Sequence, residues 1–139
     1  MMCAGHADAA KLIRADAARY ATTMWSGSEN LLALLDGDRA RLRSAVDDLA
    51  GWFTDPEGHF YHLLMLAHLG DLDRAVEMLA DVVERGFFPY DTFTRHAWLE
   101  PLRDRPDFIA ILEKAQRRHA DARAEFIRAG GEALLGALT

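Results

Sequence analysis

The sequence predicts an all-α fold: a right-handed array of antiparallel helix pairs, about six or seven helices in all, that ends in a long capping helix. Apolar residues recur at helical spacing along almost the whole 139-residue chain, and no segment shows the sustained alternation typical of a strand. Glycine and proline residues interrupt this pattern at regular distances. Two of the segments between them, LRSAVDDLA at 42–50 and LDRAVEMLA at 72–80, are nearly the same.

The predicted helix boundaries follow from residues that cap or end helices. Asp38 and Asp71 are suited to begin helices, and Gly70 is suited to end one. Pro106 can open a long helix, because proline fits the first helical turn. The segment FFPYDTF, at 87–93, is interpreted as a loop. The predicted helices cover residues 6–25, 29–35, 38–53, 59–69, 71–85, 95–103 and 106–129, and residues 132–138 are expected to add one or two further turns.

The repeated sequence indicates a repeated structure. Apolar positions of the first segment recur 30 residues later, while a Gly-Asp pair before each segment and a proline after it recur 33 residues later. A helix pair repeated at this period is typical of a helical solenoid, in which neighbouring pairs bury one another's apolar faces. We expect Ala45 and Ala75, which occupy equivalent positions, to be buried at close helix crossings.

The whole chain, residues 1–139, is interpreted as one domain, because its length is sufficient to bury a hydrophobic core. The chain divides into four parts along its length. These are an N-terminal helix (1–27), a degenerate repeat (28–56), a clearer repeat (57–89) and a closing segment with the capping helix (90–139).

The segment LAHLGDLDRAVEMLADVVERG resembles a tetratricopeptide repeat. Gly70 and Ala75 match the glycine that ends the first helix of that repeat and the small residue five positions after it. The later WLEPLR and RPDF are similar to the closing tetratricopeptide segment of bacterial signalling proteins such as serine/threonine kinases, adenylate cyclases and winged-helix regulators. This resemblance covers about 55–136, over half the chain, and departs from the family at His96 and Ala97, where an Asp-Pro pair is usual.

The resemblance implies a non-catalytic protein-interaction or regulatory module of a bacterial signalling system. In tetratricopeptide units, the first helix of each pair lines a groove that holds a peptide. The positions of this chain that would bind a protein or peptide partner there are Phe60, Tyr61, Leu64 and His68. Tyr61 and His68 would supply hydrogen bonds, and the other two would supply apolar contacts. The alternative is that Phe60 and Tyr61 pack on the loop at 87–93, so that the chain fills its own groove.

Composition disfavours several other classes of protein. The formal net charge is −6 and the basic residues are scattered, whereas a nucleic-acid binder usually carries a basic face. No stretch has the apolar length of a signal peptide or of a membrane span. Cys3 is the one cysteine, so an internal disulfide is excluded. We expect a cytoplasmic bacterial protein with no nucleic-acid or membrane partner, and the sequence leaves its oligomeric state open.

The histidines offer an alternative function, that of a small helical metal-binding enzyme or sensor. His59 and His62 are three residues apart and therefore share a helix face, and His96 is a candidate third ligand. A zinc site needs three or four converging ligands, and only this one pair has local spacing. Ser26 and Ser28 are interpreted as turn and cap residues, and Ser44 is expected to face away from the seam of its helix. No glycine-rich loop precedes a helix as a phosphate site requires. We therefore predict no enzymatic activity and no cofactor.

Two further residues are predicted to be packed. Trp98 and Leu102 are spaced like one apolar face, which should anchor the short helix at 95–103 to its neighbours. His119 lies in line with Phe108 on the apolar seam of the long helix. We expect His119 to be a core histidine bonded to a carbonyl or carboxylate group.

Overall fold

The structure is a computed structural model that describes residue 8, residues 11–15 and residues 27–136. These described residues form helices joined by turns and include no strand, which confirms the all-α prediction for them. Residues 11–15 are helical and belong to the predicted helix at 6–25, most of which lies outside the described residues. None of the described helices is both long enough and apolar enough to cross a membrane. The helices are α1 (Gly27–Asp36), α2 (Arg39–Ala50), α3 (Pro56–His68), α4 (Leu72–Glu84), α5 (Tyr90–Arg95), a 3₁₀-helix (Ala97–Leu102), α6 (Pro106–Arg128) and α7 (Gly131–Leu135).

Consecutive helices pack side by side. α1 contacts α2, α2 contacts α3, and α3 contacts α4 most extensively of all. The 3₁₀-helix also lies on α3, while α6 contacts both α4 and α5. α3 is therefore the central element, with neighbours on both flanks.

Two Gly-Asp turns join the helices of the α1–α2 and α3–α4 pairs in the same way. Gly37 and Gly70 have φ angles of 69° and 80°, a left-handed conformation that glycine adopts readily. The N–H groups of Asp38 and Asp71 each donate to a carbonyl oxygen five residues earlier, at 2.9 Å in both turns. The two turns, 33 residues apart, are thus equivalent in backbone structure.

The packed seams of α2 and α4 are only partly equivalent. Ala75 is fully buried as predicted, but Ala45 is half-buried. α2 ends at Ala50, earlier than predicted, and Trp52 is 55% exposed in the turn that follows, although its spacing places it on the seam. The physical reason is enclosure: α4 lies against α3, α6 and the 3₁₀-helix, whereas α2 contacts mainly α1 and α3 among the described elements.

One hydrophobic core runs from α1 to the first half of α6. α3 lies at its centre, because its apolar residues are buried on nearly every side, as expected of a helix with neighbours all round. α5 and the elements after it close the core over α3 with fully buried side chains, among them Phe93, Leu99, Leu102 and Phe108.

The connection between α4 and α6 differs from its prediction. The sequence predicts a loop at 87–93 and a single helix at 95–103. In the structure α5 begins directly after Pro89, and a separate 3₁₀-helix follows it. His96 divides the two with an extended backbone conformation (φ −67°, ψ 125°), and its side chain caps the 3₁₀-helix. This segment therefore contains more helical structure than its proline and polar residues indicate.

Only the first half of α6 is packed. Ala115 is fully buried, but all residues of the helix beyond Arg118 are exposed. The expectation that His119 is a core histidine is therefore wrong. The reason is that α4 ends level with Arg118, whose guanidinium donates to the carbonyl oxygen of Glu84 at 3.1 Å. The apolar spacing continues along α6, but within the described ranges only the short α7 contacts α6 there, near its end.

Candidate functional site

The four predicted groove residues divide into a buried pair and an exposed pair. Phe60 and Leu64 are each only 4% exposed, and the ring of Phe60 lies 5.5 Å from that of Phe87 and 5.3 Å from that of Phe93, measured between centroids. The expectation of one open face shared by all four residues is therefore wrong. The chain covers this side of α3 with its own segment at 87–93, as the alternative interpretation predicts for Phe60.

The open side of α3 is a narrow stripe. Tyr61, Met65 and His68 follow one another at steps of four and three residues and are exposed or half-buried, so they share this side. Tyr61 is 53% exposed, and its hydroxyl donates to Glu57 Oε1 at 3.2 Å. The bond to this carboxylate raises the pKa of Tyr61.

Trp98 extends this surface beyond α3. The imidazole of His68 stacks on the indole of Trp98, with centroids 4.4 Å apart and an interplanar angle of 27°. His96 stands at the edge of the same indole, with a centroid distance of 5.9 Å, and its Nδ1 accepts a hydrogen bond from the backbone N–H of Trp98 at 3.2 Å. We call Tyr61, Met65, His68 and Trp98 the aromatic stripe.

Trp98 packs against the core, as predicted for an anchor of the short helix, but it is not fully buried. Trp98 is half-buried, whereas Leu99 and Leu102 are fully buried and fasten the 3₁₀-helix to the core. The difference follows from helix type. Residues three apart coincide on a 3₁₀-helix, which pairs Leu99 with Leu102, whereas the prediction assumed the α-helical spacing that pairs Trp98 with Leu102.

His59 and His62 have packing roles at the start of α3. His59 is buried, and its Nε2 lies 2.7 Å from the carbonyl oxygen of Phe53, to which the protonated nitrogen donates. The ring of Phe53 lies beside both imidazoles. His62 is half-buried, and burial lowers its pKa. Across residues 8, 11–15 and 27–136 no group of three His, Cys, Asp or Glu side chains is placed to hold a metal ion, and nothing in the geometry favours the metal alternative.

An open hollow of about 570 Å³ lies at the N-terminus of α4. Arg43 and Arg105, which line it, are paired with acidic residues of α4 and of the turn before it. Arg43 lies 3.3 Å from Asp71, and Arg105 lies 2.7 Å from Asp73. These pairs connect α2, α4 and the start of α6. Because the guanidinium groups of Arg43 and Arg105 are both engaged in pairs between helices, the hollow is interpreted as a junction between helices.

Sequence reasoning missed a second hollow, between α1 and α2. It measures about 170 Å³ and is lined by Glu29, Asn30, Ala45, Asp48, Leu49 and Trp52. Asn30 is 1% exposed, and neither its Oδ1 nor its Nδ2 has a hydrogen-bond partner in the described part of the chain. A signal was present in the sequence: Asn30 is three residues before the fully buried Ala33, so a polar side chain occupies an apolar position of the helix.

Comparison with known proteins adds no family assignment. No family model matches the chain, and no match was found among curated proteins or among solved structures. The tetratricopeptide resemblance therefore rests on the residues quoted above. The function is inferred from the surface chemistry of the chain.

Proposed function

We propose that the chain is a non-catalytic interaction module, a tetratricopeptide-like array of helix pairs that binds a peptide or a partner domain in bacterial signalling. The observation that carries this proposal is the surface stack of His68 on Trp98 within the aromatic stripe. We assign partner binding to this stripe instead of to the four residues first predicted. Phe60 and Leu64 are buried in the core, so in this proposal they do not contact the partner.

The composition of the stripe suits protein recognition. Tryptophan and tyrosine are enriched among the residues that dominate protein–protein binding, because each combines a large apolar ring with a polar group. Tyr61 offers its hydroxyl and an exposed ring, and His68 offers a ring nitrogen. Trp98 is half-buried, so part of its indole remains accessible. Met65 between them is an adaptable apolar contact.

The side chains of the stripe are held in place before a partner arrives. Tyr61 is oriented by its bond to Glu57, and Trp98 is oriented by the rings of His68 and His96. Fixing rotamers in advance lowers the entropy lost on binding, which favours affinity from a small surface. These fixed side-chain orientations distinguish the stripe from scattered exposed apolar residues.

Two features support the tetratricopeptide-like arrangement. The Gly-Asp turns at Gly37 and Gly70 are equivalent in backbone hydrogen bonding and recur at the expected period. Each turn joins two helices that pack against each other, and the two pairs are themselves in contact through α2 and α3. Stacked helix pairs of this kind present their helices as an extended binding surface.

The proposal is tested by affinity capture from an extract of the source cells, with the tagged chain immobilised and bound proteins identified by mass spectrometry. We expect His68→Ala combined with Trp98→Ala to lower the affinity for a specific partner at least about tenfold, or about 1.4 kcal/mol. Ile109→Ala is the matched control, because it removes another exposed apolar side chain, 44% exposed on α6. Equal recovery by the double variant and the control would contradict the proposal.

A further inference from the structure

The two elements that carry the aromatic stripe have acidic charges only. α3 contains no lysine or arginine, and with its histidines neutral its single charged residue is Glu57. The 3₁₀-helix carries only Glu100. The nearest arginine on each side of that helix, Arg95 or Arg103, lies beside an acidic residue. Charge complementarity therefore favours a partner segment that carries a basic residue.

One end of the stripe suits a cation. Tyr61 is 53% exposed, and its hydroxyl donates to Glu57 Oε1 at 3.2 Å. Glu57 forms no ion pair within the described part of the chain, so its negative charge is available at the surface. A lysine or arginine laid over the phenol ring would contact the ring face and the carboxylate together. This end of the stripe therefore selects a basic side chain.

The other end suits an uncharged ring. Trp98 is half-buried and stacked on His68, and the one carboxylate of its helix, Glu100, is paired with Arg103. The accessible part of the indole offers an apolar surface and a single N–H donor. Proline-rich segments dock on aromatic rings of this kind, and their carbonyl groups, which have no partner within the segment, can accept from such a donor.

The dimensions of the stripe fit a polyproline II segment. Tyr61 and His68 are seven residues apart on α3, so the two ends of the stripe are separated by about 10 Å along the helix axis. Three residues of polyproline II span about 9 Å and return to the same side of the segment. A partner helix is about 10–12 Å wide and is disfavoured, because the segment at 87–93 already covers Phe60 on the adjacent side of α3.

We propose that the aromatic stripe binds a proline-rich segment of a partner protein in the polyproline II conformation. A lysine or arginine of this segment lies against Glu57 and Tyr61, and a proline three residues away lies against Trp98. The inference rests on the proposed interaction function and names the chemistry of the partner. It adds a charge requirement and a spacing requirement that the interaction function does not contain by itself.

The test is an NMR titration of the full, isotope-labelled chain with the blocked peptide acetyl-Pro-Pro-Pro-Arg-Pro-Pro-Pro-amide, which has a proline three residues from the arginine in either direction. We expect saturable shifts of the indole N–H signal of Trp98 and of the backbone amide signal of Tyr61, with a Kd of about 1 mM. Replacing the arginine with glutamine should weaken binding severalfold. Replacing all six prolines with alanine keeps the charge and should also weaken binding severalfold.

Variants of the chain examine the two ends of the stripe separately. Glu57→Gln keeps an acceptor for the hydroxyl of Tyr61, so this variant should bind the arginine and glutamine peptides equally. Glu113→Gln removes an exposed carboxylate of α6 and is the matched control, which should keep the preference for arginine. Trp98→Ala should weaken binding of the arginine peptide at least about tenfold, whereas Ile109→Ala should leave it unchanged.

Three results would overturn the inference. They are an absence of saturable shifts, equal binding of the arginine and glutamine peptides by the parent chain, and an undiminished preference for arginine in Glu57→Gln. Failure of the interaction function is a different result, because it is read from partner capture and not from these peptides. A partner captured through the stripe by a segment without proline or a basic residue would support the interaction function and contradict this inference.

Discussion

The imidazole of His68 lies on the indole of Trp98, with ring centroids 4.4 Å apart and planes inclined by 27°. His68 is in the last turn of α3 and Trp98 is in the 3₁₀-helix, so the stack joins two elements that are far apart in sequence. The same contact leaves both rings at the surface, where they can meet a partner. This pair therefore joins two elements of the fold and also belongs to the proposed binding surface.

Trp98 and Leu102 were predicted from the sequence to share one apolar face, but their substitution by alanine should affect stability differently. Leu102 is fully buried, so Leu102→Ala should cost about 2–5 kcal/mol of unfolding free energy. Trp98 is half-buried, so Trp98→Ala should cost about 2 kcal/mol, less than the value for a fully buried tryptophan. Urea unfolding measures both. A cost for Trp98→Ala as large as that for Leu102→Ala would contradict the surface position of the indole.

Equivalent alanines of the two repeats should respond differently to a larger side chain. Ala75 is fully buried in α4, so Ala75→Leu should overpack the core and destabilise by about 1–3 kcal/mol. Ala45 is half-buried and lines the hollow beside α1, so Ala45→Leu should change stability by less than about 0.5 kcal/mol. Urea midpoints of the two variants, compared at equal slope, distinguish these outcomes. Equal losses would show that both crossings are equally close.

Two glycines near the start of α3 form a second matched pair. A Cβ atom at Gly58 would overlap the ring of Phe53, so Gly58→Ala must displace this ring and should cost about 1–3 kcal/mol. Gly51 has an ordinary helical conformation, and a Cβ there would come no nearer than 3.7 Å to another atom. Gly51→Ala should therefore stabilise by about 0.4–1 kcal/mol through the unfolded state. Thermal unfolding checks the opposite signs, and the same sign for both would contradict the position of Phe53.

His62 should make stability depend on pH. Burial lowers its pKa from the ordinary value of 6.5, so the unfolded chain binds this proton at a higher pH than the folded chain does. Stability contributed by the neutral ring is therefore complete above pH 6.5 and is lost as the pH falls through 6.5 toward the folded pKa. His62→Gln should lose less stability than the parent chain between neutral and mildly acidic pH. Parallel pH profiles would contradict this, and the same substitution at the exposed His119 controls for the change of residue type.

The helix boundaries could be predicted wherever a local signal sets them. Gly37 and Gly70 end α1 and α3 as expected, because their backbone adopts the positive φ that the sequence indicates. α4 lies within one residue of its prediction at each end. The 3₁₀-helix could not be predicted from such local signals. Its three-residue repeat is recognisable only when Leu99 and Leu102 are known to be buried together in the core.

The candidate site could be predicted only in part, because burial depends on distant segments. Tyr61 and His68 lie at the surface as expected, but Phe60 and Leu64 are covered by a segment that follows α4 in the chain. A helix with apolar residues on nearly every side signals burial on both flanks, and α3 has that pattern. The exposure of His119 has the same origin, since an apolar seam is buried only where a neighbouring helix accompanies it.

The most direct test of the interaction function is site-specific photo-cross-linking at the aromatic stripe. A photoreactive phenylalanine derivative replaces Tyr61, which is 53% exposed, and in a second protein it replaces Ile109, which is 44% exposed on α6. Both proteins are irradiated in extract of the source cells and separated by mass. We expect a discrete adduct with one partner at position 61 and none at position 109. No adduct at position 61, or the same adducts at both positions, would contradict the assignment of the aromatic stripe as the binding surface.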